Sequence, residues 1–195
     1  MLKAEGAGSS RDALRGEPRR IAAELWRLRE RTEHEAAQLF AWLADALPAA
    51  GEPDALVALA RRASEDGTAH AAHCRRVVDA LAPDRAPLAP EPTVRLGPAR
   101  ATPARRALYA SVALGCVTES LSTALLIEMR RVARAPVVRD ALDVILRDEV
   151  RHGRLGWAHL ARAAASGDVS WVGEFVPAML AAALDAETPA ARAEL

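Results

Sequence analysis

Glu149 and His152 stand three residues apart in the segment Arg147-Asp148-Glu149-Val150-Arg151-His152. On a helix that spacing turns both side chains to one face, within reach of one cation. Glu33, His70 and Glu119 are predicted to face inward on three other helices, on stripes otherwise made of apolar residues. A buried carboxylate is costly unless it is paired or bound to a cation. Carboxylate oxygens and imidazole nitrogens together suit iron, manganese or zinc. The chemistry to expect is therefore metal coordination by Glu33, His70, Glu119, Glu149 and His152.

Helices must position these residues, because the β signal is nearly absent and no segment alternates with period two. Helical periodicity predicts a first helix over 18–47, opened by Pro18 and stopped by Pro48, with Ala36, Ala37, Phe40, Leu43, Ala44 and Leu47 inward. Glu33 lies on that stripe, and Glu30, His34 and Glu35 are placed on other faces. A second helix, 53–81, carries Ala63, His70, Cys74, Val77 and Val78 inward, with His73 near the edge. A third, 103–134, turns Val112, Cys116, Glu119, Thr123 and Ile127 to one side. A fourth, 136–165, aligns Leu142, Ile145, Glu149, His152 and Gly156, with His159 two turns further on. A short fifth helix over 170–186 is anchored by Trp171, Phe175 and Leu180. His73 and His159 read as edge or internally satisfied histidines.

Between the second and third helices, Pro83, Pro87, Pro90, Pro92, Pro98 and Pro103 forbid helix. Short loops elsewhere make sequential helices antiparallel neighbours. The expectation is an all-α bundle of two antiparallel hairpins joined by one long crossover over 82–103. Residues 1–17 and 187–195 read as tails, the first of them disordered, around a single domain, 18–186.

The 195 residues suffice for a real core. Lys plus Arg and Asp plus Glu number 26 each, so no global field favours nucleic acid or an anionic membrane. No basic stripe with interleaved aromatics and no phosphate-cradling glycine loop occurs. The apolar runs are read as too short to span a bilayer, and the first twenty residues lack a signal-peptide core. Cys74 and Cys116 make no disulfide framework. These features predict a cytoplasmic protein, a monomer or homodimer.

The ligand pattern resembles that of the ferritin-like superfamily, the carboxylate-bridged di-metal four-helix bundles. Glu33 matches the first-helix ligand of that family, Gly115-Cys116-Val117-Thr118-Glu119-Ser120 resembles the third-helix segment, and Arg147 to His152 matches the fourth-helix Glu-x-x-His. The resemblance covers roughly residues 27–162 without the Pro-rich connection. It implies a ferritin-like bundle and a non-haem iron site of one or two ions, with manganese, zinc or copper as alternatives.

One position departs from that pattern. Three residues before His70, where the family has a bridging Glu, this chain has Gly67. A local bulge could bring Asp66 or Glu65 into the bridging place. Glu119, Glu149 and His152 could instead hold one ion, with a second bound weakly at Glu33 and His70. A vacancy over Gly67 could admit a water, anion or substrate carboxylate. A degenerate, metal-free site is the remaining alternative. Cys74 and Cys116 flank the ligands and would favour zinc or copper(I) as thiolates, but read first as small buried hydrophobes.

The function expected is a metal-dependent oxidoreductase that activates O2 or peroxide on a small molecule. The alternatives are iron storage or detoxification, and a metal-free helical scaffold.

Overall fold

The computed structural model describes residues 16–91, 96–98 and 100–187. Residues 1–15 and 188–195, most of the expected tails, lie outside that range. Among the described residues all regular secondary structure is helical, without strands. We number the helices α1 (Glu17–Ala49), α2 (Asp54–Leu81), α3 (Pro103–Val132), α4 (Pro136–Ser166) and α5 (Val176–Glu187). A short 3-10 segment, Ser170–Phe175, precedes α5.

The boundaries follow local chemistry. Thr102 caps α3 by accepting from the Arg105 backbone N–H at 3.3 Å, with Pro103 in the first turn. Pro48 does not stop α1, as expected from sequence, but sits inside its last turn, and the chain reverses at Gly51 (φ +80°). Arg19 at the start of α1 donates to the Ala80 and Leu81 carbonyls at the end of α2, satisfying acceptors that α2 leaves open. That contact also makes α1 and α2 antiparallel. Arg130 and Asp143, paired across the α3–α4 turn, do the same for the second hairpin.

The proline-rich connection runs along α1: Arg27 donates to Ala86 O, and the Glu91 backbone N–H donates to Glu35. It returns the chain to the end where α2 began, so α3 starts beside Leu47 and Leu56. Of the crossover expected over 82–103, residues 92–95 and 99 lie outside the described residues; α3 runs parallel to α2.

Two apolar clusters form the core. One joins Phe40, Leu43, Leu47, Leu56, Ala107 and Leu155. The other joins Trp26, Cys74, Val77, Leu126, Leu142 and Ile145. α5 packs on a third, smaller cluster through Met179. Leu180, expected as an anchor, is exposed, and Val172 and Ala183 are buried instead.

Contrary to the reading from apolar runs, α3 is long and apolar enough to cross a membrane by composition, but half of its apolar window is buried against the other helices. That is compatible with the core helix of a soluble protein.

α3 also departs from regular geometry. Val112–Thr118 forms a π-helical turn, and the Thr118 hydroxyl donates to the Ala113 carbonyl at 2.9 Å. A π turn inserts an extra residue and rotates the helix beyond it. After Glu119 the buried stripe is Ser122 and Leu126, at ordinary helical spacing, whereas the expected Ile127 is exposed.

Candidate metal centre

Each long helix contributes a polar layer between the two apolar clusters. On α1, Glu33 falls between Trp26 and Phe40; on α2, His70 falls between Ala63 and Cys74. On α3, Glu119 precedes Leu126, and on α4, Glu149 and His152 lie between Ile145 and Leu155. All of the expected ligands are buried, His70 completely.

They converge as two triads, Glu33–His70–Glu149 and Glu119–Glu149–His152. Within each, one donor atom per residue lies within 4.8 Å of the others. Glu149 belongs to both. His70 Nδ1 lies 3.3 Å from Glu33 Oε2. His152 Nδ1 lies 3.3 Å from Glu149 Oε2 and 3.7 Å from Glu119 Oε1. The two imidazoles stand 5.7 Å apart.

The outer ring nitrogens are also engaged. His70 Nε2 faces Asp148 Oδ2 at 3.3 Å, and His152 Nε2 faces Asp66 Oδ2 at 3.4 Å. A carboxylate on the far nitrogen fixes the ring and leaves the near nitrogen free to coordinate. Arg151 bridges the two acids, donating to Asp66 at 3.0 Å and to Asp148 at 2.7 Å. Arg62 holds the other oxygen of Asp66 at 3.0 Å. Asp148 sits beside a recognised ligand and Asp66 beside Gly67, but neither role was assigned from sequence; each Asp is recruited by a histidine of another helix.

Asp66 therefore does not take the bridging place. α2 is regular there, and Asp66 supports His152 from outside the two triads. Nor is there a vacancy over Gly67. A Cβ at that position would lie 3.2 Å from both Ala37 Cβ and Glu33 O. The absent side chain lets α2 approach the α1 backbone beside Glu33. Glu30, assigned to another face from sequence, is in fact buried, and Arg75 lies 3.4 Å from it. His159, read as a satisfied histidine, is one: its Nδ1 is 2.7 Å from Ser111 Oγ and its Nε2 3.5 Å from Glu52. His73 is half-buried.

The electrostatics suit a cation. Burial, and then the adjacent Glu119 charge, push the Glu149 carboxyl up to about 8. Burial opposes charge on His152, but Glu119 and Glu149 outweigh it and raise its pKa to about 11. His70 is raised in the same way, Glu33 overcoming the effect of burial. Without a metal the cluster is held by protons, which a metal ion would replace. Glu149 Oε2 is buried and makes no hydrogen bond of acceptable geometry. Three carboxylates, two imidazoles and that orphaned oxygen fit a divalent ion with oxygen and nitrogen preference.

The two triads differ. Arg29 on α1 donates to Glu33 Oε1 at 3.1 Å, to Ser122 Oγ at 2.6 Å and to Glu187 of α5 at 2.9 Å. Burial works against the guanidinium charge, but Glu33 and Glu187 more than restore it. Glu33 thus already has a cation, whereas no arginine among the described residues pairs with Glu119. The thiols take no part in either triad: burial raises the pKa of both, of Cys116 to about 11.

A cavity of about 240 Å³ opens onto the carboxylates of Glu33, Glu119 and Glu149. Its walls are largely apolar, with Ala36, Leu39 and Leu114 on one side and Met179, Ala182 and Ala183 of α5 on the other.

No protein family, curated protein or solved structure matches this chain.

Proposed function

We propose that this chain is a ferritin-like metalloprotein that holds one or two divalent ions, iron foremost, between Glu33, His70, Glu119, Glu149 and His152, and acts as an oxidoreductase on a small molecule. The observation that supports it most is the sharing of Glu149 by two buried triads drawn from four helices. Bound iron would supply the redox chemistry with O2 or peroxide. The protein's own residues orient the ligands: Asp66 and Asp148 hold the imidazoles, and Arg151 holds both acids. The largely apolar cavity beside the carboxylates leaves room for a substrate.

The Arg29–Glu33 pair favours unequal loading, first at Glu119, Glu149 and His152. Elemental analysis after expression with iron, manganese, zinc and copper supplied tests the proposal. One to two equivalents in the wild type, and none in Glu149→Gln, are expected. Metal-free wild-type protein under every supplement would leave only a helical scaffold. Gel filtration separates the storage alternative, because a cage elutes far above a monomer or dimer.

A further inference from the structure

We propose that the divalent ions reach the centre from the α5 side, through the cavity between α1, α3 and α5, and that Glu35 is the first carboxylate they meet. The path presupposes the metal-centre reading, but its test distinguishes the two.

The five ligands are not equally reachable. Glu33 keeps 6% of its surface and Glu119 keeps 7%, whereas His70 keeps none and Glu149 and His152 keep 2% and 3%. The two more open ligands both line the cavity, and neither imidazole does. Ala178, Ala182 and Ala186 of α5 line it too, and all three are exposed. One space therefore touches solvent-facing residues on its outer side and ligand carboxylates on its inner side. The alanines are too small to close it. Glu149, on the inner side, carries the buried Oε2 that has no hydrogen-bond partner.

The two faces of the centre differ in charge. On the imidazole face Arg62 and Arg151 cover Asp66 and Asp148. The Arg62 side chain is 58% exposed against 5% for Asp66, and Arg151 is 38% exposed against 14% for Asp148. A cation approaching that face meets guanidinium groups before it meets an acid, and is repelled.

The cavity face has the opposite sign. Arg29 is its one lining cation, and that charge is already shared by Glu33 and Glu187. Glu149 counts as protonated in the metal-free protein, since its carboxyl is pushed up to about 8. Setting Glu187 against Arg29 still leaves Glu33, Glu35 and Glu119 to attract a cation. Glu35 is the most exposed of these, and its Oε1 accepts from the Glu91 backbone N–H at 2.8 Å. Arg31 lies 3.5 Å from it but does not line the cavity. An ion captured at Glu35 moves inward to Glu33 and Glu119, towards more carboxylates and less water.

The path is tested by the rate of zinc uptake into metal-free protein at low ionic strength, followed in stopped flow with a zinc-responsive dye. Ala182→Cys places a thiol on the outer wall, and fluorescein maleimide then blocks the cavity after the chain has folded. Wild type treated in the same way is the control, because Cys74 and Cys116 are buried. Labelling is expected to slow uptake about tenfold and to leave the final zinc content unchanged. Glu35→Gln keeps an acceptor for the Glu91 N–H and removes the charge; it is expected to slow uptake about threefold, an effect lost at high salt. Glu65→Gln removes an exposed acid beside Arg62 on the imidazole face and is expected to leave the rate as it was. Zinc uptake as fast after labelling as before overturns the path, as does a loss in Glu65→Gln equal to or larger than that in Glu35→Gln. Wild type that takes up no zinc overturns the metal-centre reading itself.

Discussion

Gly115 of α3 and Gly156 of α4 meet backbone to backbone. A Cβ on Gly115 would lie 2.7 Å from Gly156 N, and one on Gly156 would lie 2.7 Å from Cys116 N. Glu119 follows the first glycine by one turn and His152 precedes the second by one turn. The crossing therefore sets the distance over which Glu119, Glu149 and His152 converge. Gly156→Ala forces the helices apart, at about 1–3 kcal/mol for overpacking. The expected outcome is a melting temperature lower by several degrees, with weaker metal binding. Calorimetry and a metal titration on the same sample check it.

Gly67 makes the opposite kind of test. Its missing side chain faces the α1 backbone, 3.2 Å from Glu33 O. Gly67→Glu, which restores the residue type expected of a bridge, is predicted to separate α1 from α2. Stability should fall and metal content should not rise. A rise to two tightly bound equivalents would show that the side chain reaches the ions after all. Gly67→Ala should be nearly neutral, because the tight contact offsets about 1 kcal/mol of helix propensity.

The supporting acids can be separated from the ligands. Asp66→Asn and Asp148→Asn each leave the ligands of both triads in place and alter the partner of the far nitrogen of His152 or His70, while weakening the pairing with Arg151 and, for Asp66, with Arg62. Metal affinity should fall about 10–100-fold in each. Glu149→Gln should abolish binding at both triads. Competition with a chelator of known affinity ranks the variants.

The pH dependence should change sign with metal. In metal-free protein Glu149 and His152 are raised to about 8 and about 11, so both favour their protonated forms when folded. Raised folded values mean that this stabilisation is complete at low pH and is lost as pH rises through them. The metal-free melting temperature should therefore decline between about pH 6 and pH 9. Metal binding expels those protons, so the stability gained on loading should increase over the same window. Parallel melting curves with and without zinc decide it.

Arg29 links Glu33 to Glu187. Arg29→Gln strands two buried carboxylates, a loss of about 3–5 kcal/mol for a broken buried pair. Divalent metal should rescue this variant more than the wild type, since the ion then becomes the cation Glu33 lacks. Denaturant melts with and without zinc measure the difference.

Much of this was legible in sequence because helical periodicity is a local property. The stripes on α1, α2 and α4 identified Glu33, His70, Glu149 and His152 as inward. The prolines between 82 and 103 marked the connection, since proline forbids helix wherever it falls. Glu119 was placed correctly, but the residues after it were not. Thr123 and Ile127, at i+4 and i+8 from Glu119, and Ser122 and Leu126, at i+3 and i+7, flank the same face, and only the packing of the helices decides which pair is buried.

The sequence by itself determined the helices and that Glu33, His70, Glu119, Glu149 and His152 lie on inner faces, though not that Glu30 and Asp66 do. Only the tertiary structure decided that Glu149 belongs to both triads, that Asp66 and Asp148 stand behind the imidazoles, and that Arg29 already pairs with Glu33. The physical reason is range. Burial pattern is written along one helix, whereas a pairing such as Arg29 with Glu187 depends on the relative rotation of helices far apart in the chain. That rotation is set by backbone contacts such as Gly115 on Gly156, which two glycines in a sequence do not announce.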